Sequence, residues 1–135
     1  MLHKITVPFA RFAIFVIYFW FGLLKLIGES PASPMVKALF GETMGKTTLS
    51  LSFGHFLLAF AVFEMIIGIC FLIPKLDKIS FILLAIHITT TALPLFMLSG
   101  MIWTKPWIPT LEGQYIIKNL AIIGLALGIA SKRNV

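Results

Sequence analysis

Four long apolar runs dominate the chain, separated by short stretches in which proline, glycine and charge collect. Each run is about 20 residues long, enough to cross roughly 30 Å of hydrocarbon as an α-helix. They predict helices over about Val7–Ile27, Ser52–Ile73, Ile79–Ile102 and Gln114–Ala130. Taken in alternation, these make a single all-α domain over residues 1–135, an integral membrane four-helix up-and-down bundle. The first run follows Lys4 and Arg11, as the core of a secretory leader would. Its apolar stretch is longer than a leader's, and no small-x-small cleavage site follows, so it is expected to be retained as a span.

Polar positions inside the runs refine the picture. In the first helix Arg11, Phe15, Tyr18, Gly22, Lys25 and Glu29 recur at steps of four and three, which keeps them on one face. Arg11 is expected to snorkel to the headgroups at one end. Lys25 either snorkels at the other or turns into the bundle beside Gly22. The second helix sets Gly54, Leu57, Ala61, Glu64 and Gly68 on one face, with Glu64 near mid-span and His55 one turn inside the end. A carboxylate there costs a few kcal/mol on insertion scales, so it should face the bundle and find a partner. The third helix carries His87, Thr91, Pro94, Leu98 and Met101 on one face. Pro94 should kink it and leave the carbonyl near Thr90 to a threonine hydroxyl or a water.

Between the first two runs lies GESPASPMVKALFGETMGKTTLSL, residues 28–51, broken by Pro31 and Pro34; Met35–Phe40 is expected to form a short interfacial helix. Between the last two, WTKPWIPTLEGQYIIKN (Trp103–Asn119) concentrates polarity beside an apolar run. Trp103 and Trp107 fit an interfacial aromatic belt. Thr110 can cap the last helix, with Glu112 and Gln114 in its first turn. Tyr115, Lys118 and Asn119 then share a face, and Gly124 and Gly128 offer a GxxxG packing surface.

Composition excludes a soluble globule and disorder alike, since 59% of residues are hydrophobic and only 12% charged, with mean hydropathy +1.03. The net charge of +6 is scattered over helix ends rather than gathered on one face, so it is no nucleic-acid signal. It orients the bundle instead. Lys4, Arg11, Lys75, Lys78, Lys132 and Arg133 fall on one side, and Lys37, Lys46 and Lys105 on the other. Both termini are therefore expected in the cytoplasm. Cys70 is the only cysteine, which leaves no intrachain disulfide or CxxC pair.

The candidate chemistry is thus a polar set inside the bundle: Lys25, His55, Glu64, His87, Glu112, Gln114, Tyr115, Lys118 and Asn119. No HxxxH spacing, nucleophile–base motif or Gly-rich phosphate loop accompanies it, so no metal site is expected and no catalytic residue is assigned. Two readings stand side by side. The set is either interhelical glue, as in a scaffold, small transporter or channel, or the lining of a site for a polar headgroup or proton transfer.

Arg11 followed by FWFGLLKL (Phe19–Leu26), then FEMIIGICFLIP (Phe63–Pro74), HITTTALPLFML (His87–Leu98) and PTLEGQYIIKNLAIIG (Pro109–Gly124), resembles the DoxX superfamily, nearest its DoxX-like and YkgB-like four-helix members. The resemblance covers all four helices in order, and PTLEGQYIIKN is its most specific piece. It implies a bacterial inner-membrane bundle of a group tied to redox and oxidative-stress roles; it assigns no cofactor, and a quinone held near Glu64 and Lys118, with a redox protein as electron-supplying partner, is compatible with it. A homo-oligomer in the bilayer is also compatible with it. Lys25, Glu64, His87, Glu112, Gln114, Lys118 and Asn119 are the positions it supplies.

Overall fold

The computed structural model of the 135-residue chain describes residues 2–28, 33–42 and 53–133. The fold is all-α. Helix α1 spans Leu2–Leu26 and α2 spans Ser33–Glu42; α3 covers Phe53–Leu72. A 3-10 turn at Pro74–Leu76 leads into α4, Asp77–Ala92. Two short helices, α5 (Pro94–Met97) and α6 (Ser99–Ile102), carry the chain to a two-stranded ribbon of β1 (Trp103–Lys105) and β2 (Ile108–Pro109). Helices α7 (Leu111–Ile117) and α8 (Asn119–Arg133) complete it. Among the described residues, four helical stretches are long and apolar enough to cross a bilayer: Lys4–Leu26, Phe53–Leu72, Pro74–Met97 and Leu111–Lys132.

Helices α1 and α3 form the most extensive contact in the molecule, and small residues explain it. A Cβ on Gly22 would sit 2.8 Å from the Ala61 carbonyl oxygen, and one on Gly68 would sit 3.1 Å from that of Phe15. Two backbones meet this closely only where the side chain is absent. The core below this contact gathers Ala10, Ile14, Tyr18, Ile67, Phe71, Leu84, Ile122, Ala126 and Ile129 from all four stretches. The outer surface is reversed relative to a water-soluble bundle. Phe9, Phe12, Trp20, Ile82, Ile86, Phe96, Leu120 and Leu127 are all exposed large apolar side chains.

Several expectations need correction. Arg11 does not snorkel. Its guanidinium turns inward and grips Asp77 through two parallel bonds (2.6 and 2.8 Å), with a third to the Phe71 carbonyl at 3.1 Å. Asp77 is 1% exposed, so α1 is pinned to the α3–α4 turn by a nearly dry ion pair. The third span stays helical through Leu93 (φ −55°, ψ −40°) into α5 at Pro94, where the proline lacks the N–H that would continue the ladder; the backbone leaves the helical region only at Leu98 (φ −122°, ψ 46°). The Thr90 carbonyl accepts the Leu93 N–H at 3.2 Å, whereas the hydroxyls of Thr89, Thr90 and Thr91 turn back to the carbonyls of Ala85, Ile86 and Ile88.

The fourth span begins at Leu111, three residues before the expected start, and is interrupted at Lys118. Thr110 caps it, accepting from the Gly113 N–H at 3.2 Å. Gly124 and Gly128 are exposed with nothing within 4 Å of an added Cβ, so they pack no neighbouring helix. Trp103 donates its indole N–H to the Leu95 carbonyl, whereas Trp107 stands out at the ribbon's turn with φ of 69° and 92% exposure. The short helix expected over Met35–Phe40 is the longer α2. Glu29, Lys46 and Ser52 lie outside the described residues.

Candidate functional site

The face of α1 that carries Tyr18 and Lys25 meets α3 at Glu64 and α4 at His87. Each residue is placed by its helical register, with the close Gly22–Ala61 approach bringing α1 and α3 together. The Lys25 ammonium lies 3.1 Å from Glu64 Oε1 and donates to Oε2 at 3.2 Å, so it straddles the carboxylate. His87 Nε2 stands 3.3 Å from the same Oε1. On the other side of the imidazole ring, Nδ1 and the Tyr18 hydroxyl are 3.0 Å apart. Tyr18, Lys25, Glu64 and His87 are all at most 7% exposed. The four side chains form one continuous polar chain: phenol, imidazole, carboxylate, ammonium.

Aromatic rings hold this chain in place. Tyr18 meets the His87 ring edge-on at 4.8 Å, Phe60 stacks on it at 5.3 Å, and Phe63 closes a third side at 6.1 Å. Phe60 also lies under the Lys25 ammonium, 5.8 Å from the ring centroid. Removing a carboxylate and an ammonium from water costs several kcal/mol per ion, offset here by direct pairing. The His87–Glu64 approach is an ion-pair distance without the alignment of a hydrogen bond. Among the described residues, His87 Nε2 is the one buried side-chain polar atom with no hydrogen-bond partner.

Beside this chain opens a cavity of about 470 Å³. Its walls are overwhelmingly apolar, supplied by Ile17, Phe21, Phe56, Phe60, Ile122 and Leu125, together with Val36 and Leu39 of α2. That volume lies in the range of about 300–1,000 Å³ typical of small-molecule pockets. Thr91 and Asn119 form a second polar point on the wall, the Asn119 amide donating to the Thr91 hydroxyl at 3.3 Å. Tyr115 is half exposed and its ring lies 5.9 Å from that of Phe21; with the exposed Lys118 it marks the rim.

Six of the nine sequence candidates therefore line one cavity: Lys25, Glu64, His87, Tyr115, Lys118 and Asn119. His55, Glu112 and Gln114 do not. All three are exposed, the latter two on the first turn of α7. The partner of Glu64 is Lys25, not Lys118, which stays at the rim. Tyr18 and Thr91 complete the site although the candidate set omits them. The signal for Tyr18 is its place midway along the Arg11–Lys25 stripe, and that for Thr91 is its position one turn past His87. No group of three potential metal ligands converges among the described residues. No protein-family model, curated protein or solved structure matches this chain.

Proposed function

We propose that the chain is a multi-pass DoxX-like membrane protein of the bacterial inner membrane, with both termini cytoplasmic, whose cavity binds a quinone. It would act as the membrane component of a redox or stress-defence system, with electrons supplied by a protein partner. The observation that carries this reading is the juxtaposition of the Tyr18–His87–Glu64–Lys25 chain with an apolar cavity of about 470 Å³. A molecule entering such a space must be lipophilic, yet it meets donors and an acceptor able to hold a polar head or exchange a proton with it. The sheath of exposed apolar side chains supports the bilayer as surroundings, since patches of that extent are rare on soluble monomers.

The test is organic extraction of protein purified gently from its native membranes, followed by mass spectrometry of the bound lipophiles. Stoichiometric quinone in wild type and its loss in Glu64→Gln is the expected result. Ordinary phospholipid in both would overturn the quinone reading.

A second reading is favoured by one observation: the buried Lys25–Glu64 pair bridges the two most closely packed helices. In a scaffold or small transporter the pair would serve as interhelical glue. Glu64→Gln would then lower thermal stability in detergent without changing what is bound.

A further inference from the structure

We infer that Lys118 is the headgroup site of an anionic membrane lipid, which sits at the mouth of the cavity with its charged head on the ammonium and its chains in the surrounding bilayer. This rests on the membrane setting proposed above and not on what fills the interior of the cavity.

The mouth lies where the cavity wall and the outer surface coincide. Tyr115, Lys118 and Ala121 line the cavity and are exposed, and all three stand on the fourth span. The other lining residues are buried or half-buried.

The charges of the lining do not cancel. It carries two ammonium groups, Lys25 and Lys118, against one carboxylate, Glu64. Lys25 straddles Glu64 at 3.1 and 3.2 Å, and both are buried. Among the described residues, the Lys118 ammonium meets neither a carboxylate nor a hydrogen-bond acceptor. An anion at this cavity therefore finds one cation already taken, deep and beside a carboxylate, and one open, at the mouth.

The surroundings of Lys118 select a lipid over a soluble anion. Its neighbours on the helix, Ile117 and Leu120, are 39% and 68% exposed, and Leu111 at the start of the span is 74% exposed. Apolar surface of this kind belongs among acyl chains, and Lys118 is set within it. Trp107, just before the span, is 92% exposed, as an interfacial aromatic is. Lys118 follows Leu111 by seven residues, about 10 Å at the rise of an α-helix, so its Cα lies below the headgroup level. A cation at that depth is satisfied by stretching up to the interface or by drawing an anionic head down to it. The cavity beside Lys118 favours the second, because a head can settle at an open mouth where a close-packed helix surface would exclude it.

The test is native mass spectrometry of the full-length protein released from nanodiscs of equal phosphatidylglycerol and phosphatidylcholine with matched chains. Wild type is expected to retain a phosphatidylglycerol whose occupancy falls about fivefold in Lys118→Gln, while Lys118→Arg keeps it. Equal melting temperatures in detergent check that the variants are folded. Lys105→Gln and Lys78→Gln remove exposed lysines that do not line the cavity, and both should keep the lipid. Glycerophosphoglycerol, the same head without chains, should not displace it. The inference falls if Lys118→Gln retains as much phosphatidylglycerol as wild type, or if wild type retains phosphatidylcholine equally. It falls too if either control variant loses as much as Lys118→Gln, since the lipid then answers to surface charge in general. Displacement by glycerophosphoglycerol would make this a site for a soluble anion and overturn the lipid assignment. Quinone measured in the same samples decides the proposed function separately: its absence from wild type overturns that reading and leaves the lipid result to be judged by Lys118 alone.

Discussion

At the scale of single residues, two buried carboxylates carry different loads. Asp77 is gripped by Arg11 through both carboxylate oxygens and lies against the core of the bundle, away from the cavity lining. Glu64 shares one oxygen between Lys25 and the approach of His87, on the cavity wall. On the proposed function, the first is a lock and the second a site. Removing one partner of a buried ion pair costs about 3–5 kcal/mol, because the remaining charge loses its compensation. Arg11→Met should therefore lower bundle stability by about 3 kcal/mol in detergent thermal denaturation while leaving bound lipophile per folded protein unchanged. A lost ligand at full stability would contradict that division of labour. Neither pairing partner can be read from the sequence. Arg11 and Asp77 stand 66 residues apart, and a cation near a helix end looks the same whether it snorkels or turns inward. Glu64 is legible as a carboxylate needing a partner. Choosing Lys25 over Lys118 requires the depth at which α1 and the fourth span cross α3.

At the scale of elements, the close approach of α1 and α3 sets the geometry of the site. Gly22 sits one turn before Lys25, and its missing side chain lets the Lys25 ammonium reach Glu64. Gly22→Val would drive a branched side chain into the Ala61 carbonyl. The expected cost is about 1–3 kcal/mol in thermal stability, the usual range for overpacking, together with reduced ligand retention. Gly128→Ala meets nothing within 4 Å and should change stability by less than about 0.5 kcal/mol. Equal effects of the two would mean that the α1–α3 contact is not what holds the site. The apolar period makes four spans legible, and Pro94 marks where α4 passes into α5. The interruption at Lys118 has no such marker, since neither proline nor glycine stands there. GxxxG in α8 misleads for the opposite reason: the motif records that helices can approach, whereas the bundle sets which face is offered.

At the scale of the whole molecule, the bundle is apolar outside and polar at one place within. Exposed Phe9, Trp20, Phe96 and Leu127 surround a core in which, among the described residues, the buried side-chain polar atoms are hydrogen-bonded save for His87 Nε2, which stands beside Glu64. Such a molecule concentrates its chemistry in a space that water reaches poorly, where hydrogen bonds and charges act more strongly than in solvent. The clustering of six candidates around one space is legible because intramembrane polar residues are expensive and converge when they occur. The space itself is not, because a cavity is what side chains fail to fill, and that depends on all four spans together.

Whether this cavity is a binding space is decided most directly by Ala121→Trp. Ala121 lines the cavity from α8 yet is itself exposed, so a large ring there can occupy the space without displacing buried core or replacing Glu64, His87 or Lys25. The quantity to measure is quinone per folded protein after gentle purification, wild type against Ala121→Trp. A binding space predicts a near-stoichiometric load in wild type and its loss in the variant, with the melting temperature of the variant held or raised. The same load in both, or none in either, would contradict it.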